Sequence, residues 1–268
     1  EIYRCDWSSD VCSSDLFAFE SGMCEFNEVR VREQLENVET NKDKYFLRRI
    51  RLVVKEKTEK IITNNKDRLV RWVDFEDDER GDWYLYEPPK VENKFRVFGE
   101  YYEPLNTSDY SIGVDTFKDE FAFAGSKGTI CVFKKSKIIE GEETGMYPVL
   151  LYVGRPRLLV HLYDEVIKAC MWYGSKVNFE LDAGTQYYNY FRERGCGAFL
   201  EWTPKVAIDP TKPEKKLKPG TQSADPFQLQ QQLELCKVYI DGVKNENYTG
   251  HVHRIPYPQL LQQLLDYD

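Results

Sequence analysis

In YSIGVDTFKDEF, residues 110–121, an apolar run ends in Gly113 and Val114 and then meets a carboxylate, Asp115, at the point where a strand would leave a core. An Asp there either begins an ordinary turn or holds a metal ion. Gly113, two residues earlier, shares a strand face with Asp115 and lets another chain come close. The run reads as a central strand against which the following strands fold as hairpins.

Working outward, EFAFAGSKG (120–128) or GTICVFKKSKI (128–138) supplies the second strand and YPVLLYVGRP (147–156) the third. The pattern then changes to alternating helix and strand. RLLVHLYDEVIKACMWYG puts Leu159, Leu162, Tyr163, Val166, Ile167 and Cys170 on one helical stripe, with Gly174 as its stop. KVNFELDAG is the fourth strand. TQYYNYFRERG is a helix capped by Thr185 and ended by Gly195, and AFLEWT is the fifth strand. Asp225 and Pro226 fit the cap and first turn of a helix through Leu229, Leu233 and Cys236, and YPQLLQQLLDYD begins another. This order predicts an α/β fold, a mixed sheet flanked by helices, whose sites gather at strand ends.

A second carboxylate, Glu180, falls in the fourth strand, where a charge is costly unless paired. If the first and fourth strands are neighbours, Asp115 and Glu180 can meet. At about 4 Å two carboxylates repel by roughly 4 kcal/mol at an effective dielectric near 20. A shared proton, a Lys or Arg, or a divalent cation offsets that. Oxygen ligands suit Mg²⁺ or Mn²⁺, and two such ions can clamp the attacking and leaving oxygens of a phosphodiester. Taken singly, Asp115 reads equally as the start of the DTFKDE turn, and Glu180 and Asp182 as edge-strand residues facing water.

Upstream, FNEVRVREQLENVE predicts one amphipathic helix with Asn27 as N-cap and Val29, Val31, Leu35 and Val38 inward. From about residue 45 the pattern is alternation. RIRLVVKEK, KIITNN, RLVRWVDFED and GDWYLYEPP, separated by turn signals, predict a small antiparallel β-module of hairpins, joined to the main domain through EPLNTSD. The first 16 residues, EIYRCDWSSDVCSSDL, carry no helix or strand period and resemble a translated sequencing adapter, so they are set aside. Without Glu1, Arg4, Asp6, Asp10 and Asp15 the formal net charge moves from −8 to −5. The expected divisions are thus 1–16, a non-native tail; 17–43, helical; 44–105, the β-module; and 106–268, the main domain.

Eighteen Tyr, 15 Phe and 5 Trp favour much β-structure, because aromatics suit pleated surfaces. No apolar run approaches the roughly 20 residues of a membrane-spanning helix, so no membrane partner is expected. Cys24, Cys131, Cys170, Cys196 and Cys236 form no CxxC pair and are expected as buried free thiols. His251 and His253 in GHVHR alternate as on a solvated strand, without a nearby third metal ligand.

The ordered series WYLYEPP, YSIGVDTF, VNFELDAGTQYYNYFRERGCG, KPGTQSADPFQLQQQLELC and RIPYPQLLQQLLDYD resembles the C-terminal nuclease half of the large terminase subunit of tailed bacteriophages. The resemblance covers most of 106–268 and implies a ribonuclease H-like fold. It makes Asp115 the first metal-binding acid and Glu180 the second. Asp182 stands where the family often has Asn, either assisting the site or taking that Asn's place. The family's third acid follows the helix that YPQLLQQLLDYD begins, later than Asp266 or Asp268, so the chain is expected to be cut before it.

The implied activity is a metal-dependent endonuclease that cuts concatemeric double-stranded DNA with two Mg²⁺ or Mn²⁺ ions, in the host cytoplasm. Portal protein and the small terminase subunit are the implied partners of the full-length family. No GxxxxGK[ST] loop occurs, so the family's packaging ATPase is expected upstream, its end marked by the helix and β-module. Lys212, Lys215, Lys216 and Lys218 in DPTKPEKKLKPG form a dense basic loop that either guides a DNA backbone or is simply solvated. Two other readings stand beside this one: a resolvase- or transposase-type ribonuclease H-like nuclease, and a non-enzymatic β-rich module binding a glycan or protein.

Overall fold

A computed structural model describes residues 26–60, 67–90, 92–117, 127–179, 186–202, 219–220, 226–242 and 250–267. Helix α1 (Glu28–Thr40) precedes three strands, β1 (Arg48–Lys60), β2 (Asp67–Asp77) and β3 (Trp83–Leu85). A short hairpin follows, β4 (Phe95–Phe98) and β5 (Tyr101–Pro104), then β6 (Tyr110–Asp115) and β7 (Gly128–Lys134). A second hairpin, β8 (Lys137–Ile139) and β9 (Glu142–Thr144), leads into β10 (Tyr147–Gly154). The rest is α2 (Leu159–Tyr173), β11 (Val177–Phe179), α3 (Gln186–Glu193), α4 (Pro226–Asp241) and α5 (Pro258–Leu265).

Among the described residues seven strands form one mixed sheet in the order β11-β6-β7-β10-β3-β1-β2. β11 and β6 are parallel; every other neighbouring pair is antiparallel. The protein is therefore α/β, a mixed sheet flanked by helices. The middle belongs to β7 and β10, whose runs GTICVFK and YPVLLYVG are buried almost throughout, as strands covered on both faces must be. β6 was expected there. It alternates buried and half-buried residues instead, and lies one strand from the edge.

The hairpins expected as a module before the main domain are antiparallel, and they extend the same sheet, because β3 pairs with β10 through Leu150–Leu85, Leu151–Tyr84 and Tyr152–Trp83. Beyond that joint the β1–β2 ribbon carries cross-strand pairs Arg51–Glu76, Lys55–Asp74 and Arg71–Glu56. Each is solvent-exposed and contributes about 0–1 kcal/mol. Their main effect is to favour this register over a slipped one.

One face of the sheet packs on α2. Leu159, Leu162, Tyr163, Val166, Ile167 and Cys170 are all buried, as their spacing predicts. Gly174 ends the helix in the left-handed region, φ 66°, and a Cβ there would stand 1.9 Å from the Lys94 carbonyl oxygen, so only glycine fits. The opposite face carries Cys131, Phe133 and Leu151 against α1, α4 and α5. In α1 the Asn27 side chain accepts from the Arg30 N–H as an N-cap should. Val29, expected inward, is exposed, and Gln34 takes the buried position, its amide donating to the Ile255 carbonyl at 2.8 Å. The buried stripe of α4 is likewise displaced by one residue from Leu229 and Leu233 to Gln228 and Gln232, joining the expected Cys236.

Two predicted strands are absent as strands. AFLEWT contains a 3₁₀ turn, Gly197–Phe199, and makes only isolated bridges at Leu200 and Trp202. Its backbone is spent locally, Phe199 N–H donating to Cys196 and Leu200 N–H to Gly197. GHVHR is also a 3₁₀ turn, Val252–Arg254, with Arg254 N–H donating to the His251 carbonyl.

His251 is therefore buried, 4% exposed, and not solvated. Burial, with Arg254 and His253 adding to it and Glu143 opposing, lowers its pKa to about 4. Below its ordinary value near 6.5 the unfolded chain binds a proton that the folded one refuses. Stability is then fully present above pH 6.5 and falls as pH drops toward 4, by up to about 3 kcal/mol. Urea midpoints across that window should fall less steeply for His251→Gln than for the parent; equal slopes would remove His251 from the explanation.

The described cysteines, Cys131, Cys170, Cys196 and Cys236, are buried and free. Burial pushes the Cys196 thiol up to about 12 and Cys170 well above its ordinary value, so both stay protonated and unreactive at neutral pH. No described helix is long and apolar enough to cross a membrane.

Candidate active site at the end of the parallel strand pair

The local sequence sets β6 so that Tyr110, Ile112 and Val114 face the α2 core, while Ser111, Gly113 and Asp115 lie on the less buried face. Two edge-to-face aromatic contacts hold the core side: Tyr110 against Tyr173 at 4.9 Å and Tyr163 against Phe179 at 6.0 Å. Gly128 opens β7 where α2 passes close by; a Cβ there would stand 2.7 Å from Leu162 Cδ2. The end of the sheet that carries Asp115 is thus fixed from below by a close-packed helix.

Asp115 is half-buried and sits opposite Thr129 of β7. On the other side β11 runs parallel to β6, Val177 beside Ile112, Asn178 beside Gly113 and Phe179 beside Val114. The neighbour relation that the two-carboxylate reading required is present. Gly113 pairs with Cys131 of β7 on one side and Asn178 of β11 on the other. Phe179 is stacked on Tyr187 of α3, centroids 4.3 Å apart and rings 8° from parallel, which clamps the C-terminal part of β11 against the helix. Val114 and Phe179, the last described pair, directly precede Asp115 and Glu180 in sequence.

Of the expected site residues only Asp115 is described. Glu180, Asp182, Lys212, Lys215, Lys216 and Lys218 lie outside the described residues. Among the described residues no group of three or more His, Cys, Asp or Glu side chains is gathered for a metal.

Residues that sequence reasoning passed over also stand at this end. Arg155 places its guanidinium 4.8 Å above the ring of Phe117, two residues beyond Asp115. Thr129 is buried beside Asp115 itself. The only sequence signal for Arg155 was its place in VGRP at the exit of an apolar strand, the same kind of position that marked Asp115.

No protein-family model, no curated protein and no solved structure matches this chain.

Proposed function

We propose that this chain is the ribonuclease H-like nuclease part of a phage DNA-packaging terminase, a metal-dependent endonuclease that cuts double-stranded DNA. The observation that carries this reading is the parallel pairing of β6 with β11, whose last described pair directly precedes two carboxylates in sequence. Asp115 is a half-buried oxygen donor at a strand end, which fits the oxygen chemistry that Mg²⁺ and Mn²⁺ prefer. Asp115 and Glu180 would hold the ions, with Asp182 beside them. When bound, such ions offset the carboxylate repulsion, activate water and stabilise charge on the phosphoryl oxygens.

The chain's own part is positional. α2 and the Phe179–Tyr187 stack keep the two strand ends from shifting, as in-line attack demands. Arg155 sets a cation over Phe117, two residues beyond Asp115. DNA is the substrate of this reading; portal protein and the small terminase subunit would be partners of the longer family protein, in the host cytoplasm.

The test is nicking of supercoiled plasmid by the full-length protein, in which the resemblance supplies the third acid. Open circles that form with Mn²⁺ and not with EDTA are expected. Cleavage that proceeds equally in EDTA would sink the metal-dependent reading.

A further inference from the structure

The edge of β11 that β6 leaves open is bordered by a groove of about 690 Å³, lined by Tyr101, Tyr188, Asn189, Arg192, Leu200 and Trp202 among others. Its sides are unusual for a soluble surface. Tyr101 is 64% exposed and Trp202 51%, two large ring faces held in water. Tyr188 already carries the Arg192 guanidinium 5.4 Å above its ring. Tyr101 is brought here by the β4–β5 hairpin, whose Tyr102 N–H donates to the Gly195 carbonyl just beyond α3.

The groove also has a direction. Leu200 bridges Val177 in parallel, and Glu201 N–H donates to the Val177 carbonyl at 2.8 Å. The chain therefore runs toward Trp202 as β11 runs toward Phe179 and β6 toward Asp115. With strands about 4.8 Å apart, the Leu200 backbone lies about 10 Å from β6, level with Ile112, and the chain continues from there toward the end that carries Asp115. Trp202 bridges Pro219, so the chain leaves and returns at this lip.

We propose that this groove takes an unpaired stretch of DNA, its bases stacking on Trp202, Tyr101 and Tyr188 and a phosphate meeting Arg192; the proposal rests on the nuclease reading above. Exposed aromatic faces with an arginine are the chemistry that recognises unstacked bases without regard to sequence. Glu193, on the same rim, offsets Arg192. Stacking therefore supplies the affinity within the groove, and a duplex, whose base faces are already occupied, is disfavoured. A strand end held here lies beside the point of cutting.

Fluorescence anisotropy of a dye-labelled oligothymidylate, titrated with the chain in EDTA, tests this apart from metal chemistry. Saturable binding is expected, with Trp202→Ala and Tyr101→Ala each about 5- to 150-fold weaker. Trp202→Phe should stay within a few-fold of the parent. Arg192→Ala should flatten the slope of log affinity against log salt by about 0.7. No saturable binding, affinity indifferent to both ring truncations in folded variants, equal affinity for a duplex, or the same ring dependence for a neutral oligosaccharide would each overturn it. Nicking without oligonucleotide binding sinks the groove alone; oligonucleotide binding without nicking sinks the nuclease alone.

Discussion

Asp115→Asn is expected to lower Mn²⁺-dependent nicking by about 100-fold or more while leaving the fold intact. The two side chains are nearly the same size, and residue 115 is a half-buried strand end rather than a core position. Its melting should therefore change by no more than about 1 kcal/mol. The charge is what differs. A divalent ion's hold on transition-state oxygens is worth several kcal/mol, and each 1.36 kcal/mol is tenfold in rate, so two or more decades depend on the carboxylate. Initial rates of plasmid nicking for parent and variant at equal protein and Mn²⁺ read this directly. Nicking within a few-fold of the parent would remove Asp115 from the chemistry.

Lys134→Met is expected to cost about 3 kcal/mol of stability. Lys134 Nζ lies 2.7 Å from Glu87 Oε1 with both side chains under 20% exposed, and the Tyr147 hydroxyl donates to the other oxygen of Glu87. Burial opposes ionisation of Glu87, but the hydrogen bonds from Lys134 and Tyr147 outweigh it and hold its pKa below the ordinary value. This network joins the chain after β3 to β7 and β10, the centre of the sheet. Removing Lys134 leaves Glu87 only the exposed Lys90, 3.2 Å from the same oxygen, as its cation, while removing both charges is nearly neutral. Urea denaturation should therefore show Lys134→Met strongly destabilised and the Lys134→Met/Glu87→Gln double variant recovering much of the loss. A single variant within about 0.5 kcal/mol of the parent would mean that solvent already screens the pair.

What could be read in the sequence was local. Asn27 as a cap, Gly174 as a helix stop and the α2 stripe from Leu159 to Cys170 are decided by neighbours within a few residues, and each is where periodicity puts it. The pairing of Leu85 with Leu150 joins residues 65 positions apart, and no alternation pattern announces it. The same gap explains why β7 and β10, not β6, hold the centre. A run such as GHVHR alternates like a strand, yet forms a 3₁₀ turn because tertiary contact buries His251 against Tyr239, ring centroids 5.8 Å apart.

The candidate site divides in the same way. Asp115 could be singled out because a carboxylate ending an apolar run is unusual, and a neighbouring strand bearing Glu180 could be anticipated. The specific parallel register, Val114 beside Phe179, is a property of the sheet that the sequence could frame only as a condition. The rings of Tyr101 and Trp202 come from separate elements and line one groove only through the fold.

The central claim is that Asp115 and Glu180 share a metal ion, and Mn²⁺ titration followed by calorimetry or by the free-ion electron paramagnetic signal tests it most directly. The parent should bind Mn²⁺ saturably, Asp115→Asn and Glu180→Gln should each weaken that binding at least about tenfold, and the double variant should lose little more than the worse single one. Mn²⁺ binding of equal affinity in the parent and both single variants would contradict it.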